Sequence, residues 1–532
     1  MTPSRRMLGR VALLLGVSAA VASLALLVWM ALLGPVIGGF SDSAEYVVLA
    51  DFFLGHFTGA LQQYSANYYG VSRFPPLYPL TLAIAGAGME ASLRAHWVTV
   101  VESAAALALL AAWLKQQLRD TGAAALLFAA FVLLPGWLLL GLNPLSEPLF
   151  FALLFACLLV ADRWRDGESS PWVLAALVSI LPLARSAGLA LVVAAIVWFH
   201  LHGQRRLRLA ALATAMCVPI LAWMAYRRIL PIDYDYSAQL TLDRVLEVFG
   251  GWDGWLLGQW PRMFNAVIDN LDPSRHRYAI PAAGLLLAFG IVGWWLRLRA
   301  RRLDPLFLVV YLGLVFVWPY PAEQQRLLLV ALPFVMLCAA DAVVYLAARV
   351  RPVSPLLAAA FVAVIVIAPA STFLARVPHR LALDVAPELS SHRATPSFFL
   401  LLDDDDALHW LELRERIVQV MSELPGIVPR TDCVYSTSPA LAWMVTGGRV
   451  SIRPTIAGIE TAERARREMG ECRYFLVAFI TSPQHRQPPL YPHRLIEAWT
   501  RPVLLSEFKG PNGENKGTAA ALLVRRDDEE QH

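Results

Sequence analysis

Long apolar runs without charged residues recur along this chain, and they constrain its fold more than any other feature of the sequence. Of the 532 residues, 57% are hydrophobic and only 16% are charged, whereas a soluble domain is about 45–50% apolar and about 25% charged. A run of 18 or more apolar residues is long enough to cross a membrane as a helix. The composition therefore excludes an ordinary soluble enzyme, and the absence of low-complexity sequence excludes intrinsic disorder.

The apolar runs predict a polytopic α-helical membrane protein with about 11 transmembrane helices. Arginine and lysine are concentrated in the predicted cytoplasmic loops, which orients the spans by the positive-inside rule. The first run is about 25 residues long, which favours a retained helix over a cleaved signal peptide. The predicted spans cover residues 11–35, 95–114, 122–142, 146–161, 171–184, 187–201, 209–226, 281–296, 305–319, 327–348 and 355–374.

With this orientation, residues 1–374 form a transmembrane module and residues 375–532 form a small periplasmic α/β domain. The module has two large periplasmic segments, 38–94 and 227–280. The first of them contains an apolar piece, residues 76–89, that is too short to cross the membrane and predicts a juxtamembrane or re-entrant helix.

The C-terminal segment has the pattern of a small α/β domain. Residues 409–424 have a helical pattern, whereas 432–437 and 474–480 are short apolar runs rich in strand-forming residues. Residues 440–446 and 460–469 are the candidates for the intervening helices. Two cysteines, Cys433 and Cys472, lie in this segment, and export to an oxidising compartment would allow them to form a disulfide.

The first periplasmic segment begins with two acids at helical spacing, Asp42 and Glu45. An acid directly after a membrane helix stays ionised at the interface and is able to take a proton from a nucleophilic hydroxyl as a general base. The same spacing before an apolar stripe is also typical of a helix capping box. Both interpretations stay open, and they are compatible with each other.

Five short motifs occur in a fixed order along the first 333 residues. They are Asp42-Ser-Ala-Glu-Tyr46, Phe74-Pro-Pro-Leu-Tyr-Pro79, Asn143-Pro-Leu-Ser-Glu147-Pro-Leu-Phe, Leu183-Ala-Arg185-Ser-Ala-Gly-Leu and Gln325-Arg326-Leu-Leu-Leu-Val-Ala-Leu-Pro333. Their order resembles the GT-C glycosyltransferases, polytopic enzymes that take a sugar from a polyprenyl-phosphate donor. The nearest resemblance is to the branch of protein O-mannosyltransferases and lipid A aminoarabinose transferases. It implies that Asp42 is the catalytic base, with Glu45 beside it.

Three arginines, Arg73, Arg185 and Arg326, are predicted at the outer boundary of the spans, where they are candidates for binding the donor phosphate. Departure of a lipid phosphate builds negative charge, and arginine stabilises such charge with paired hydrogen bonds. Interfacial snorkelling or pairing with an acid is the alternative explanation for these arginines. Glu147 is a candidate for orienting the acceptor or, with Asp42, for binding a metal; a helix-terminal acid favoured by the dipole is its alternative.

The sequence thus predicts an integral-membrane glycosyltransferase of the bacterial inner membrane whose active site faces the periplasm. A sugar would pass from a polyprenyl-phosphate donor to an envelope glycan, lipid or protein by inverting displacement, with a divalent cation (Mg²⁺ or Mn²⁺) left open. Membrane lipids are further expected partners, and a net charge of +4 is too small to indicate nucleic acid. A flippase of lipid-linked sugars and a catalytically inactive GT-C-like accessory protein are the alternatives.

Overall fold

A computed structural model of the protein describes most of the chain, and the described residues fall into two compact units. Unit 1 comprises Met1–Trp29, Gly70–Tyr78 and Trp97–His379, and unit 2 comprises Met30–Tyr69, Pro79–His96 and Arg380–His532. The described residues are 3–33, 41–55, 74–88, 91–141, 143–229, 246, 249–275, 277–318, 323–381, 404–454, 471–478, 499–509 and 515–526.

The secondary structure is mostly helical, with one small sheet. The helices are α1 (Pro3–Leu33), α2 (Ser41–Phe53), α3 (Leu77–Ile84), α4 (Ser92–Leu118), α5 (Thr121–Val132), α6 (Pro135–Gly141), α7 (Glu147–Arg165), α8 (Pro171–Ala184), α9 (Leu189–Leu201), α10 (Arg206–Ile229), α11 (Trp252–Leu271), α12 (Ala279–Arg299), α13 (Leu303–Val317), α14 (Gln324–Ala347), α15 (Pro355–Leu381), α16 (Asp404–Ile427) and α17 (Pro439–Thr446). The strands are β1 (Cys433–Ser436), β2 (Ser451–Pro454), β3 (Tyr474–Ala478), β4 (Thr500–Lys509) and β5 (Asn515–Arg525).

Within the described residues, six helices are long and apolar enough to cross a membrane: α1, α4, α10, α12, α14 and α15. Helices α5 and α6 make a seventh candidate if they are counted together, although they are bent by 63°. Pro135 begins α6 and disfavours helical geometry at the residue before it, so the predicted span 122–142 is broken rather than continuous. The chain is a multi-pass membrane protein, and the number of eleven spans stays a prediction.

Helix α14 forms the centre of unit 1. Of its apolar window, 83% is buried, compared with 17–44% for the other five long apolar helices. Helix α12 packs closely on it through two glycines: a Cβ at Gly293 would lie 1.7 Å from the carbonyl oxygen of Cys338, and one at Gly290 would lie 2.8 Å from Cγ1 of Val335. Small residues let membrane helices approach until dispersion contacts hold them together.

Charged and amide side chains from five helices of unit 1 meet in one cluster, which we name the Arg297 network. Arg297 donates to both carboxylate oxygens of Asp304, at 2.6 and 3.1 Å, and to Asp341 at 2.9 Å. These contacts offset the cost of burying the arginine, because its donors are satisfied with good geometry. The members of the network are Gln117, Asp162, Arg297, Arg302, Asp304 and Asp341.

The other half of the Arg297 network is joined by an amide. The Oε1 atom of Gln117 accepts hydrogen bonds from Arg297 at 2.7 Å and from Arg302 at 3.0 Å, while its amide nitrogen donates to Asp162. Arg302 also donates to Asp162 at 3.0 Å. The network therefore connects α4, α7, α12, α13 and α14 through polar contacts that membrane lipid could not supply.

Unit 2 contains a five-stranded sheet in the order β2-β1-β3-β5-β4. Strands β2, β1 and β3 are parallel, whereas β5 pairs antiparallel with both β3 and β4. Helix α16 packs on β4, β5 and α17. The two predicted strands and two of the three predicted helices are confirmed as β1, β3, α16 and α17, so the C-terminal segment has an α/β fold. The third predicted helix, residues 460–469, lies outside the described residues.

Cys433 and Cys472 form a disulfide in unit 2, with their Cα atoms 4.9 Å apart. The bond joins the first residue of β1 to Cys472, which lies two residues before β3. It is part of a buried cluster with Phe475 and Trp499. In the chain-entropy model, closing a loop of this length stabilises the fold by about 3–4 kcal/mol.

Candidate functional site

Glu147 is the first residue of α7 and is almost fully buried, with 1% of its surface exposed. Pro148 follows it in the first helical turn, where the missing N–H of proline leaves no hydrogen bond unmade. A carboxylate at this end of a helix is stabilised by the helix dipole. Burial nevertheless makes its charge costly unless cations lie beside it.

Arg185 lies in the tight connection between α8 and α9, as the sequence predicts. Its backbone is extended (φ −156°, ψ 133°), and a short 3₁₀ turn, Ser186–Gly188, follows. A Cβ at Gly188 would lie 2.6 Å from the carbonyl carbon of Leu181. Glycine is therefore required for the hairpin to close this tightly and to hold Arg185 at its tip.

Arg326 lies in the first turn of α14 and completes the cluster. Its Nε atom is 3.4 Å from Oε1 of Glu147, and Nη1 of Arg185 contacts the same oxygen. We name Glu147, Arg185 and Arg326 the Glu147 cluster. The arginine side chains are only 13% and 10% exposed, so two guanidinium groups share one carboxylate in a largely buried setting.

Helix α11 supports the beginning of α14, where Arg326 lies. Gln259 donates hydrogen bonds to the carbonyl oxygens of Phe316 at 2.8 Å and Trp318 at 3.1 Å, and it accepts one from Gln324 at 2.8 Å. Asn270 donates to the carbonyl oxygen of Gln325 at 2.8 Å. These bonds connect the second predicted periplasmic segment to both α13 and α14.

Gln259 and Asn270 were not identified from the sequence as residues that support the site. They are eleven residues apart, which is about three helical turns, so both project from the same face of α11. Both are fully buried. Two amides on the buried face of an amphipathic helix are the signal that could have identified them, because buried amides require partners.

The predicted acids of the first periplasmic segment lie in unit 2. Asp42 is in the first turn of α2, and it is 9% exposed, while Glu45 is 5% exposed. Helix α2 packs against α17 of the same unit. The third predicted phosphate ligand, Arg73, lies outside the described residues.

A divalent cation does not fit the surroundings of Glu147. The two arginines on its carboxylate place positive charge where a metal ion would have to bind, and this charge opposes a second cation. Within the part of the chain that the structure describes, no group of three or more His, Cys, Asp or Glu side chains is arranged to hold a metal.

The fold of the chain is similar to that of a solved archaeal enzyme. Oligosaccharyltransferase AglB from Archaeoglobus fulgidus, in complex with an inhibitory peptide and a dolichol-phosphate, is matched over 95% of this chain and 74% of its own, with 12% sequence identity and a TM-score of 0.51. The chain has a GT-C fold. No family model and no curated protein matches its sequence.

Two further solved structures match the chain at lower similarity. ArnT from Cupriavidus metallidurans bound to undecaprenyl phosphate has 13% identity and a TM-score of 0.49, with 96% of this chain and 97% of ArnT covered. The apo state of the same protein has 13% identity and a TM-score of 0.46, with 95% and 97% covered. The fold that the order of the short motifs implied is confirmed by the match to AglB.

Proposed function

We propose that this chain transfers a sugar from a polyprenyl-phosphate donor to an acceptor in the bacterial cell envelope. The observation that carries the proposal is the Glu147 cluster, in which a GT-C fold brings two arginines onto one buried carboxylate. AglB, which shares the fold, contains a dolichol-phosphate in its structure. A lipid phosphate is the kind of anion that guanidinium groups bind with paired hydrogen bonds.

Arg185 and Arg326, together with Arg73, are the proposed ligands of the donor phosphate. In the reaction the bond between C1 of the sugar and a phosphate oxygen breaks, and its electron pair stays on the phosphate. Guanidinium groups in a region that excludes water stabilise this developing charge strongly. Keeping two arginines buried next to apolar helices is costly, which favours a functional role for them over simple packing.

Asp42 is the proposed general base, with Glu45 one helical turn further on. As the hydroxyl or amine of the acceptor attacks C1 from the side opposite the phosphate, Asp42 takes its proton. A single displacement of this kind inverts the anomeric centre. The position of Asp42 in the first turn of α2 favours the ionised carboxylate that a base requires.

The proposed site faces the periplasm of the inner membrane. The disulfide between Cys433 and Cys472 supports this side, because a cytosolic domain would be kept reduced. The acceptor is an envelope glycan, lipid or protein.

The test is mass spectrometry of envelope glycans from a strain that lacks the gene, complemented with the wild type or a variant. We expect the deletion to remove one sugar and the wild type to restore it. Asp42→Asn should lower transfer about 10²- to 10⁴-fold, the contribution typical of a general base. Asp51→Asn is the matched control, because Asp51 is a buried acid of the same helix α2, and it should restore the sugar.

Full restoration by Asp42→Asn would refute the assignment of the base. A deletion strain with unchanged glycans would refute the transfer reaction. Accumulation of a lipid-linked sugar on the cytoplasmic face would instead indicate a flippase.

A further inference from the structure

Glu147 occupies the same two guanidinium groups that the proposed function assigns to the donor phosphate. Its Oε1 atom contacts Nη1 of Arg185 and lies 3.4 Å from Nε of Arg326. Neither of its carboxylate oxygens has a hydrogen-bond partner among the residues that the structure describes. The two arginines therefore hold the carboxylate by ion pairing, without aligned hydrogen bonds.

This arrangement differs from the tightest ion pair of the same unit. Asp304 binds Arg297 through both of its oxygens, in the paired geometry that gives the strongest contacts. A carboxylate that makes no aligned hydrogen bond to a guanidinium is easier to displace from it than one that makes two. The Glu147 cluster is thus built so that another anion can exchange with, or be added beside, its own carboxylate.

We propose that Glu147 is a resident anion that weakens the binding of the spent lipid phosphate and so favours its release. The inference rests on the proposed function, because it requires the phosphate to bind Arg185 and Arg326. The donor is a phosphodiester with one negative charge. The product is a phosphomonoester, which carries about 1.5 to 2 negative charges near neutral pH, since its second pKa is about 6.

Repulsion by the Glu147 carboxylate grows with the charge of the bound phosphate, so it acts more strongly on the product than on the donor. Tight binding of both would not accelerate the chemical step, and tight binding of the product would slow turnover. Glu147 is therefore a specificity-determining residue, and its charge lets the arginines hold the diester while the monoester departs.

The test measures binding to the purified full-length protein in lipid nanodiscs by titration calorimetry. The probes are undecaprenyl phosphate, a monoester, and its methyl phosphodiester. We expect Glu147→Gln to tighten binding of the monoester about tenfold and of the diester about threefold, because one negative charge is removed beside each. Arg185→Gln should change the affinity in the opposite direction and weaken binding of both probes.

The matched control is Asp162→Asn. Asp162 lies near the other end of the same helix α7, about 22 Å from Glu147 along the helix, and it also contacts two arginines, Arg165 and Arg302. It should leave both affinities within about twofold of the wild type. Glu147→Asp keeps the charge and should also keep the preference for the diester.

Weaker binding in Glu147→Gln, parallel to Arg185→Gln, would overturn the inference and make Glu147 a support for the arginines. Equal tightening of the two probes would overturn it as well. If Glu147→Gln does not fold, a lost preference in Glu147→Asp overturns it and a retained preference supports it. Failure of the wild type to bind undecaprenyl phosphate would instead refute the proposed function, so the two failures are distinguishable.

Discussion

Helix α7 has arginine contacts at both ends, and the two sets are built differently. In its last turn, Asp162 belongs to the Arg297 network. The central residue of that network, Arg297, donates hydrogen bonds to three side chains, Asp304, Asp341 and Gln117. At its first residue, Glu147 forms ion pairs with Arg185 and Arg326, and neither of its oxygens has a hydrogen-bond partner among the described residues. The first arrangement satisfies its donors within the protein, and the second leaves its carboxylate only loosely engaged.

The difference shows that buried charges in one membrane protein can have two roles, which are to stabilise helix packing and to respond to a ligand. A buried charge with paired hydrogen bonds to several partners stabilises the native packing of the helices around it. A buried charge held by ion pairing without aligned hydrogen bonds contributes less to that packing, but it can respond to a ligand. Burial alone does not distinguish the two roles, since Arg297, Arg185 and Arg326 are all largely buried.

The largest expected effect is loss of stability on breaking the Arg297 network. Arg297→Leu leaves the buried carboxylate of Asp304 without its bidentate partner, which should cost about 3–5 kcal/mol of unfolding free energy. Thermal or chemical unfolding in detergent measures the loss. Arg185→Leu is the comparison variant, and it should cost clearly less; an equal cost would remove the distinction between the two clusters.

The next effect concerns ligand binding by the Glu147 cluster. Arg326→Gln should weaken binding of undecaprenyl phosphate about 10- to 100-fold, because it removes a charged hydrogen bond worth about 1.5–3 kcal/mol. Calorimetry on the purified protein measures it. Arg302→Gln, from the Arg297 network, should change the affinity less than threefold, and a similar loss in both variants would contradict the assignment.

A smaller effect tests how Arg185 is held. Gly188→Ala places a Cβ against the backbone of Leu181, so the hairpin between α8 and α9 must open, at a cost of about 1–3 kcal/mol. Unfolding measurements should detect this together with weaker phosphate binding. Gly313→Ala in α13 meets no atom within 4 Å and should leave both quantities unchanged; unaltered binding in Gly188→Ala would show that the hairpin does not position Arg185.

The smallest effect should come from an uncharged member of the Arg297 network. Gln117→Ala removes an acceptor shared by Arg297 and Arg302 but leaves their carboxylate partners in place. We expect a loss of about 1.5 kcal/mol, the lower end of the range for hydrogen bonds to charged groups. A loss as large as that of Arg297→Leu would show that the amide, rather than the ion pairs, holds the five helices together.

The sequence predicts those parts of the fold that depend on local patterns. Apolar runs locate the long helices, and a single arginine between two such runs locates the tip that carries Arg185. Strand β4 was not predicted because it contains Pro502. Proline has no backbone N–H to donate, so a sheet tolerates it only in an edge strand, at the first residue of a strand or at a bulge. The structure places β4 at the edge of the sheet, where that condition holds.

The contacts of the two clusters could not be predicted in the same way. Glu147, Arg185 and Arg326 were each identified as candidates, but their meeting at one oxygen atom depends on the packing of α7, the α8–α9 hairpin and α14. The same holds for Gln117 and Arg297, which are 180 residues apart in the chain. Polar partners of this kind follow from tertiary structure and leave no periodic signal in the sequence.

The disulfide has a practical consequence for anyone who prepares this protein. The chain has five cysteines, of which Cys157, Cys217 and Cys338 are free thiols. After denaturation without reductant, a maleimide label should therefore attach to three sites per molecule when the Cys433–Cys472 disulfide has formed in an oxidising compartment. It should attach to five sites when the disulfide has not formed. Intact-mass measurement of the labelled product thus becomes a quality control for correct membrane insertion.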